Sequence, residues 1–229
     1  MKTGVPTRLT PRKCPRQARS AVTVDAIFEA AIQVLLSVGS ARLNTTRVAE
    51  RAGVSVGTLY QYFPNKQSLL FAVLERYLDR LMERLEAACI DHRGAAAAVM
   101  TEAAVKAYLR VKAEQPEVSR ALYLIAIELD ARRLVEQAIR RAEQAIAAML
   151  TTARDGPVAD PPAVARLLFA AIHGTVRMFY ERDLPPRIGG AVEYQLTTMC
   201  CAYVAAALRP QPAPLRRSRS GRRNEPSVV

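Results

Sequence analysis

The chain has 229 residues, 50% hydrophobic and 24% charged, with ten Gly, 14 Pro and no Trp; that balance excludes a largely disordered, fibrous or low-complexity protein. Its net charge of +12 is confined to the ends: residues 1–66 hold ten basic against three acidic side chains and residues 210–229 hold five against one, while 67–209 are almost neutral. A basic first quarter beside a neutral body is the distribution of a polyanion-binding module joined to a neutral partner domain.

Residues 1–20 carry Pro6, Pro11 and Pro15 among six basic residues and read as a disordered basic arm. No apolar run of a signal peptide follows these charges. No segment reaches the roughly 20 uncharged apolar residues of a membrane span. A cytoplasmic protein without membrane attachment is expected. The Ala-rich, Gly-poor composition favours helices.

From Val22 the apolar residues Ile27, Ala31, Val34 and Val38 recur at spacings of three and four, a first helix with Gly39 as its stop. Asn44 caps a two-turn helix, Thr45 to Ala52, which Gly53 ends. Ser55 caps another, Val56 to Tyr62, which Pro64 stops. Two short helices joined through a glycine turn have the layout of a helix-turn-helix. A long helix follows from Lys66 to His92, capped by Asn65, with Leu70, Leu74, Leu78, Leu81 and Leu85 as its stripe. Helices are then expected over 95–114, over 117–154 in two pieces parted near Asp130, from Pro161 to about Arg182 behind the Asp160 cap, and over 191–208. Pro185, Pro186, Gly189 and Gly190 mark a loop, and residues 210–229 a disordered basic tail. The fold class expected is all-α, about nine helices, with no strand and no fixed-period repeat.

Chemistry of other kinds finds little footing. Cys14, Cys89, Cys200 and Cys201 have no metal-ligand spacing, and the adjacent pair suits neither a zinc knuckle nor a CxxC redox site. Neither His92 nor His173 has an acidic residue three positions before it, as a helical di-metal site needs. No Ser/His/Asp order or phosphate loop stands out, so no enzyme and no cofactor is expected.

The stretch Thr46-Arg47-Val48-Ala49-Glu50-Arg51-Ala52-Gly53-Val54-Ser55-Val56-Gly57-Thr58-Leu59-Tyr60-Gln61-Tyr62-Phe63-Pro64-Asn65-Lys66 resembles the DNA-binding signature of the TetR/AcrR repressor family. Ile27 to Gly39 resembles that family's first helix, and the likeness is specific over about residues 22–75. The residues support it independently. Gly53 suits a tight turn with positive φ. Val48, Ala49, Val54 and Leu59 are apolar where they would face the first helix. Ser55 caps the second short helix and leaves its N-terminal end free to enter a major groove.

The resemblance implies roles by position. Thr46 and Arg47 match positions that reach phosphate or a base edge. Val56 and Gly57 match base-facing positions, where Gly57 permits close approach and Val56 could touch a thymine methyl. Thr58, Tyr60, Tyr62 and Lys66 match phosphate contacts, and Gln61 suits base-edge hydrogen bonding to adenine. Tyr60 equally suits a packing role and Arg47 a solvated surface charge. Val56 and Tyr62 depart from the polar residue and the His common there, so readout rests on fewer hydrogen bonds. Lys13, Arg16 and Arg19 of the arm suit tracking of the backbone or minor groove.

The implied organisation is a basic arm (1–20), an N-terminal three-helix helix-turn-helix DNA-binding domain (21–66), a C-terminal helical ligand-binding and dimerisation domain (67–209) and a basic tail (210–229). The expected partners are operator DNA, a small-molecule effector and a second copy of the chain through the last two helices. Ala170, Ala171 and Gly174 on one, and Leu196, Met199 or Cys200, Tyr203 and Ala207 on the other, suit that pairing. Leu81, Leu85, Tyr108, Tyr123, Ile127, Phe169 and His173 are candidates to line an effector pocket, each equally at home in an ordinary core. Apolar walls would suit a hydrophobic or amphipathic effector. The implied function is a homodimeric repressor released from a pseudo-palindromic operator by that effector. An activator and a non-specific nucleic-acid-binding protein are the alternatives.

Overall fold

The computed structural model describes residues 18–182 and 190–208, with side chains from Ala21 onward. Among them are nine helices: α1 (Ala18–Arg42), α2 (Thr45–Ala52), α3 (Val56–Tyr62), α4 (Lys66–Asp91), α5 (Ala97–Glu114), α6 (Pro116–Glu128), α7 (Arg132–Leu150), α8 (Pro161–Glu181) and α9 (Ala191–Ala207). The only β pairing among the described residues is an isolated bridge between Val158 and Leu208. The tail, the Pro185–Pro186 loop and the side chains of Lys13, Arg16 and Arg19 lie outside the described residues. Residues 18–20, which the sequence reading gives to the arm, form the start of α1, and residues 1–17 lie outside the described residues.

Local chemistry explains most boundaries. Asn44 accepts from the Arg47 N–H at 2.9 Å, and Ser55 accepts from the Thr58 N–H at 3.0 Å. Asn65 and Ser68 form a reciprocal capping box at the start of α4. Asp130, at φ 46°, parts α6 from α7. Asp160 caps α8 through the Ala163 N–H at 3.2 Å, with Pro161 in its first turn. Two details differ from the sequence reading. Gly39 does not end α1: its φ of 76° and ψ of 167° break the helix, and a short last turn runs on to Arg42. The N-terminus of α5 has no local side-chain cap; the carboxylate of Asp155, 58 residues further on, accepts from the Ala97 N–H at 2.9 and 3.2 Å.

Two cores form. In the first, Ile27, Ala31, Val34 and Leu35 of α1 pack on Val48 and Ala49 of α2, Leu59 of α3 and residues 69–74 of α4, with Val118, Leu122 and Ile125 of α6 added. The second joins the rest of α4 to α5, α7, α8 and α9. Arg141 of α7 clamps α4 by pairing with Asp79 at 2.7 Å and with both oxygens of Glu86 at 3.0 Å. One helix among the described residues, Ala21–Arg42, is by length and composition apolar enough to cross a membrane, with a mean hydropathy of 1.7, although Asp25 and Glu29 interrupt it and it is no run of uncharged residues. The same residues supply α1's buried side in the first core. Cys89 and Cys200 are buried and Cys201 half-buried, all as free thiols.

Candidate nucleic-acid interface and ligand cavity

The unit α2–turn–α3 turns on Gly53, whose φ of 68° and ψ of 28° are left-handed. A side chain there would be strained, so the glycine is required by the backbone itself. The following Val54 N–H returns to the Ala49 carbonyl at 3.0 Å, which closes the turn. The inward side of the unit is apolar and buried: Val48, Ala49 and Leu59, closed by Phe63 against Phe28 of α1 with ring centroids 5.6 Å apart.

The residues singled out by sequence divide between the outward side and its border with the first core, against which Val56 and Tyr62 pack. Thr46, Arg47, Gly57, Tyr60 and Gln61 are exposed, and Val56, Thr58, Tyr62 and Lys66 are half-buried. Several also brace the unit. The Tyr60 hydroxyl is hydrogen-bonded to that of Thr45 at 3.0 Å, tying α3 to α2. Lys66 Nζ donates to the Ser40 carbonyl at 3.0 Å, at the negative end of α1. The Thr58 and Ser55 hydroxyls lie 2.8 Å apart, and Arg47 Nη1 reaches the Arg42 carbonyl at 3.5 Å. A tyrosine hydroxyl and a lysine ammonium keep further hydrogen-bonding capacity after one bond.

Gly57 differs from Gly53. Its φ is not in the left-handed range, and a Cβ built on it meets only Ser55 Oγ, at an ordinary 3.7 Å. Nothing inside the fold asks for glycine at this exposed place.

A cavity of about 660 Å³ opens between α4, α5, α6, α7 and α8. Leu81, Tyr108, Tyr123, Ile127, Phe169 and His173 line it together. Leu85, one turn beyond Leu81, is fully buried in the second core and is not on the wall. Tyr108 stands edge-on to Phe169 at 5.4 Å, and its hydroxyl is hydrogen-bonded to His173 Nδ1 at 2.9 Å. Burial first, then the Lys112 and Arg177 charges, push His173 down to about 4, so it is neutral at neutral pH. At the exposed edge, Tyr123 donates to Glu181 Oε1 at 2.8 Å and Arg177 Nε donates to the same oxygen at 2.7 Å.

Sequence reasoning missed the wall residues Lys112 and Tyr77. Lys112 is only 7% exposed, with its Nζ 4.8 Å from the Tyr77 ring centre and 5.6 Å from that of Tyr108. Its four-residue spacing from Tyr108 placed both on one helix face and could have revealed it. Tyr77 is fixed by a 2.7 Å hydrogen bond to Ser119.

The last two helices correct one reading. Leu196 and Cys200 of α9 are buried, and Tyr203 and Ala207 pack half-buried against the second core, so that stripe faces inward, towards α5 and α8. The apolar surface left open keeps Ala170, Gly174 and Met199 of that reading and adds Leu167 and Met178 of α8 with Tyr194 and Ala202 of α9.

Residues 27–73 match the family described as bacterial regulatory proteins, tetR family, and residues 97–203 match the tetracyclin repressor-like, C-terminal domain. The chain is 33% identical over 60 residues to the fatty acid metabolism regulator protein of Bacillus subtilis (strain 168), a match covering 26% of this chain and 31% of that one. It thus spans about a third of that curated relative's length. Among solved structures, a TetR transcription regulator from Haloarcula marismortui aligns with a TM-score of 0.67 at 20% identity, over 82% of this chain and 100% of that one. The SmeT–triclosan complex of Stenotrophomonas maltophilia aligns at 0.58 and 23% identity, over 84% and 99%. At these identities the structures speak for the fold.

Proposed function

Because the chain belongs to the TetR family of bacterial regulatory proteins, we propose that it is a homodimeric transcriptional repressor, cytoplasmic and without enzymatic activity, released from operator DNA by a small-molecule effector. The observation that carries this reading is Gly57. It is exposed on α3, unstrained, with room for a methyl group that the fold would tolerate. A close-approaching partner accounts for it, and a DNA major groove is the partner that fits an exposed helix capped at its N-terminus.

Around Gly57, Val56 and Gln61 face base edges in this reading, Thr46 and Arg47 reach phosphate or a base edge, and Thr58, Tyr60, Tyr62 and Lys66 supply phosphate contacts. Dimerisation through α8 and α9 sets two such heads roughly 34–36 Å apart, one DNA turn, and calls for a pseudo-palindromic site. The effector occupies the cavity. Its handle on the head is α6: Leu122 lies both on the cavity wall and in the first core, beside Val118 and Ile125. Leu74 of α4 is shared in the same way. A ligand that favours one setting of α4 and α6 shifts the population of DNA-competent dimers, with a coupling of roughly 1–3 kcal/mol.

Selection of bound fragments from the source genome tests the reading. A single pseudo-palindromic motif is the expected result. Uniform recovery with steep salt dependence would instead mean sequence-independent coating.

A further inference from the structure

Lys112 sits in the cavity without a counter-ion. Its side chain is 93% buried, as its 7% exposure implies, and Nζ lies over the Tyr77 and Tyr108 rings. Among the described residues no carboxylate pairs with it and no acceptor is hydrogen-bonded to it. Ring faces attract a cation but do not neutralise it. A lone ammonium in an apolar site is costly unless an anion joins it.

The acidic groups around the cavity are otherwise placed. Glu181 is bonded to Arg177 and Tyr123. Glu136 faces Arg140 at 3.9 Å, and Asp130 is exposed at the turn between α6 and α7. Arg177 is balanced by Glu181, and Arg132 is exposed, so Lys112 is the buried cation on these walls. Beyond it the lining is largely apolar, with Leu78, Leu81, Met82, Ala126 and Ile139.

We infer that the cavity takes a monoanionic organic acid, its carboxylate held by Lys112 and its apolar body by the side chains of α4, α6 and α7. The inference rests on the effector reading and names the ligand class for it. One ammonium is a point charge that balances one negative charge. A phosphate ester, with nearly two charges and three acceptor oxygens, calls for a second cation or an arginine fork at the same spot. The volume of about 660 Å³ lies within the range of small-molecule sites, roughly 300–1,000 Å³. Burial lowers Lys112 to about 7, the behaviour of an ammonium with no resident partner.

The test is calorimetric titration of the full chain at neutral pH with two matched probe pairs: decanoate against decan-1-ol, and 2-naphthoate against 2-naphthol. At least one carboxylate is expected to bind about tenfold or more tightly than its alcohol, the worth of a charge-assisted contact. In Lys112→Met that preference disappears while alcohol binding persists. Carboxylates that bind no tighter than their alcohols overturn the inference, as does a preference that survives in Lys112→Met. Should that variant not fold, the comparison on the unaltered chain decides alone. A carboxylate that binds through Lys112 yet leaves operator affinity unchanged overturns the effector role and keeps the ligand class.

Discussion

Gly57 and Lys112 are the two positions whose chemistry points outside the fold. For Gly57→Ala, ordinary helical geometry and open space mean that the fold gains about 0.5–1 kcal/mol from better helix propensity. Operator binding should weaken by about 1–3 kcal/mol, the scale of one lost base contact. Thermal unfolding and a gel-shift titration on the same sample check both signs; unchanged affinity would remove the close-approach argument. Lys112 predicts a pH effect. Burial brings it from 10.5 to about 7, so between those values the unfolded chain holds a proton that the folded chain has lost. Stability therefore rises with pH across that window, and the penalty is fully present below it. Tyr77, Tyr108 and His173 face the group, and none supplies a negative charge at neutral pH. Lys112→Met should melt higher than the unaltered chain at about pH 6, and that advantage should shrink towards about pH 10.

At the scale of elements, α2, α3 and the start of α4 were legible because their signals are local. Asn44, Gly53, Ser55 and Asn65 each act within four residues of themselves. Asn65→Ala removes the side-chain half of the capping box, the acceptor of the Ser68 N–H, and leaves the residue-65 N–H to donate to Ser68 Oγ; it should cost about 1 kcal/mol in a denaturant titration, with the helix otherwise retained. The start of α5 was not legible in this way, since its cap is Asp155, brought near only by the path of α7. α9 was misread for a related reason. Its apolar and small residues run nearly all round the helix, so periodicity alone could not say which stripe would meet α5. Contact with α5 buried Leu196 and Cys200 and left Tyr194, Met199 and Ala202 outside.

For the whole molecule, that outside face is what dimerisation through α8 and α9 would use. Leu167 is 59% and Met199 52% exposed, so an arginine at either should leave the monomer fold intact. Met199→Arg is expected to halve the mass read by light scattering and to abolish binding to a two-half-site operator. A dimer that persists would place the pairing surface elsewhere. The division of labour also differs from a simple cut after Lys66. The first core reaches through residues 69–74 into α4 and takes in one side of α6, whose other side lines the cavity. Leu122 belongs to both, so a single helix joins the cavity to the first core.

The sequence by itself determined the all-helical class and the turn-and-helix unit, because capping, helical period and glycine backbone preference are properties of neighbours along the chain. It also named six of the residues that meet in the cavity, since Tyr, Phe and His on apolar helices are conspicuous. Only the tertiary structure decided which stripe of α9 is buried, which distant carboxylate caps α5, and that Lys112 lies among rings with no acid beside it. Those facts depend on partners brought together from separate helices, and spacing along one helix carries no information about what packs against it.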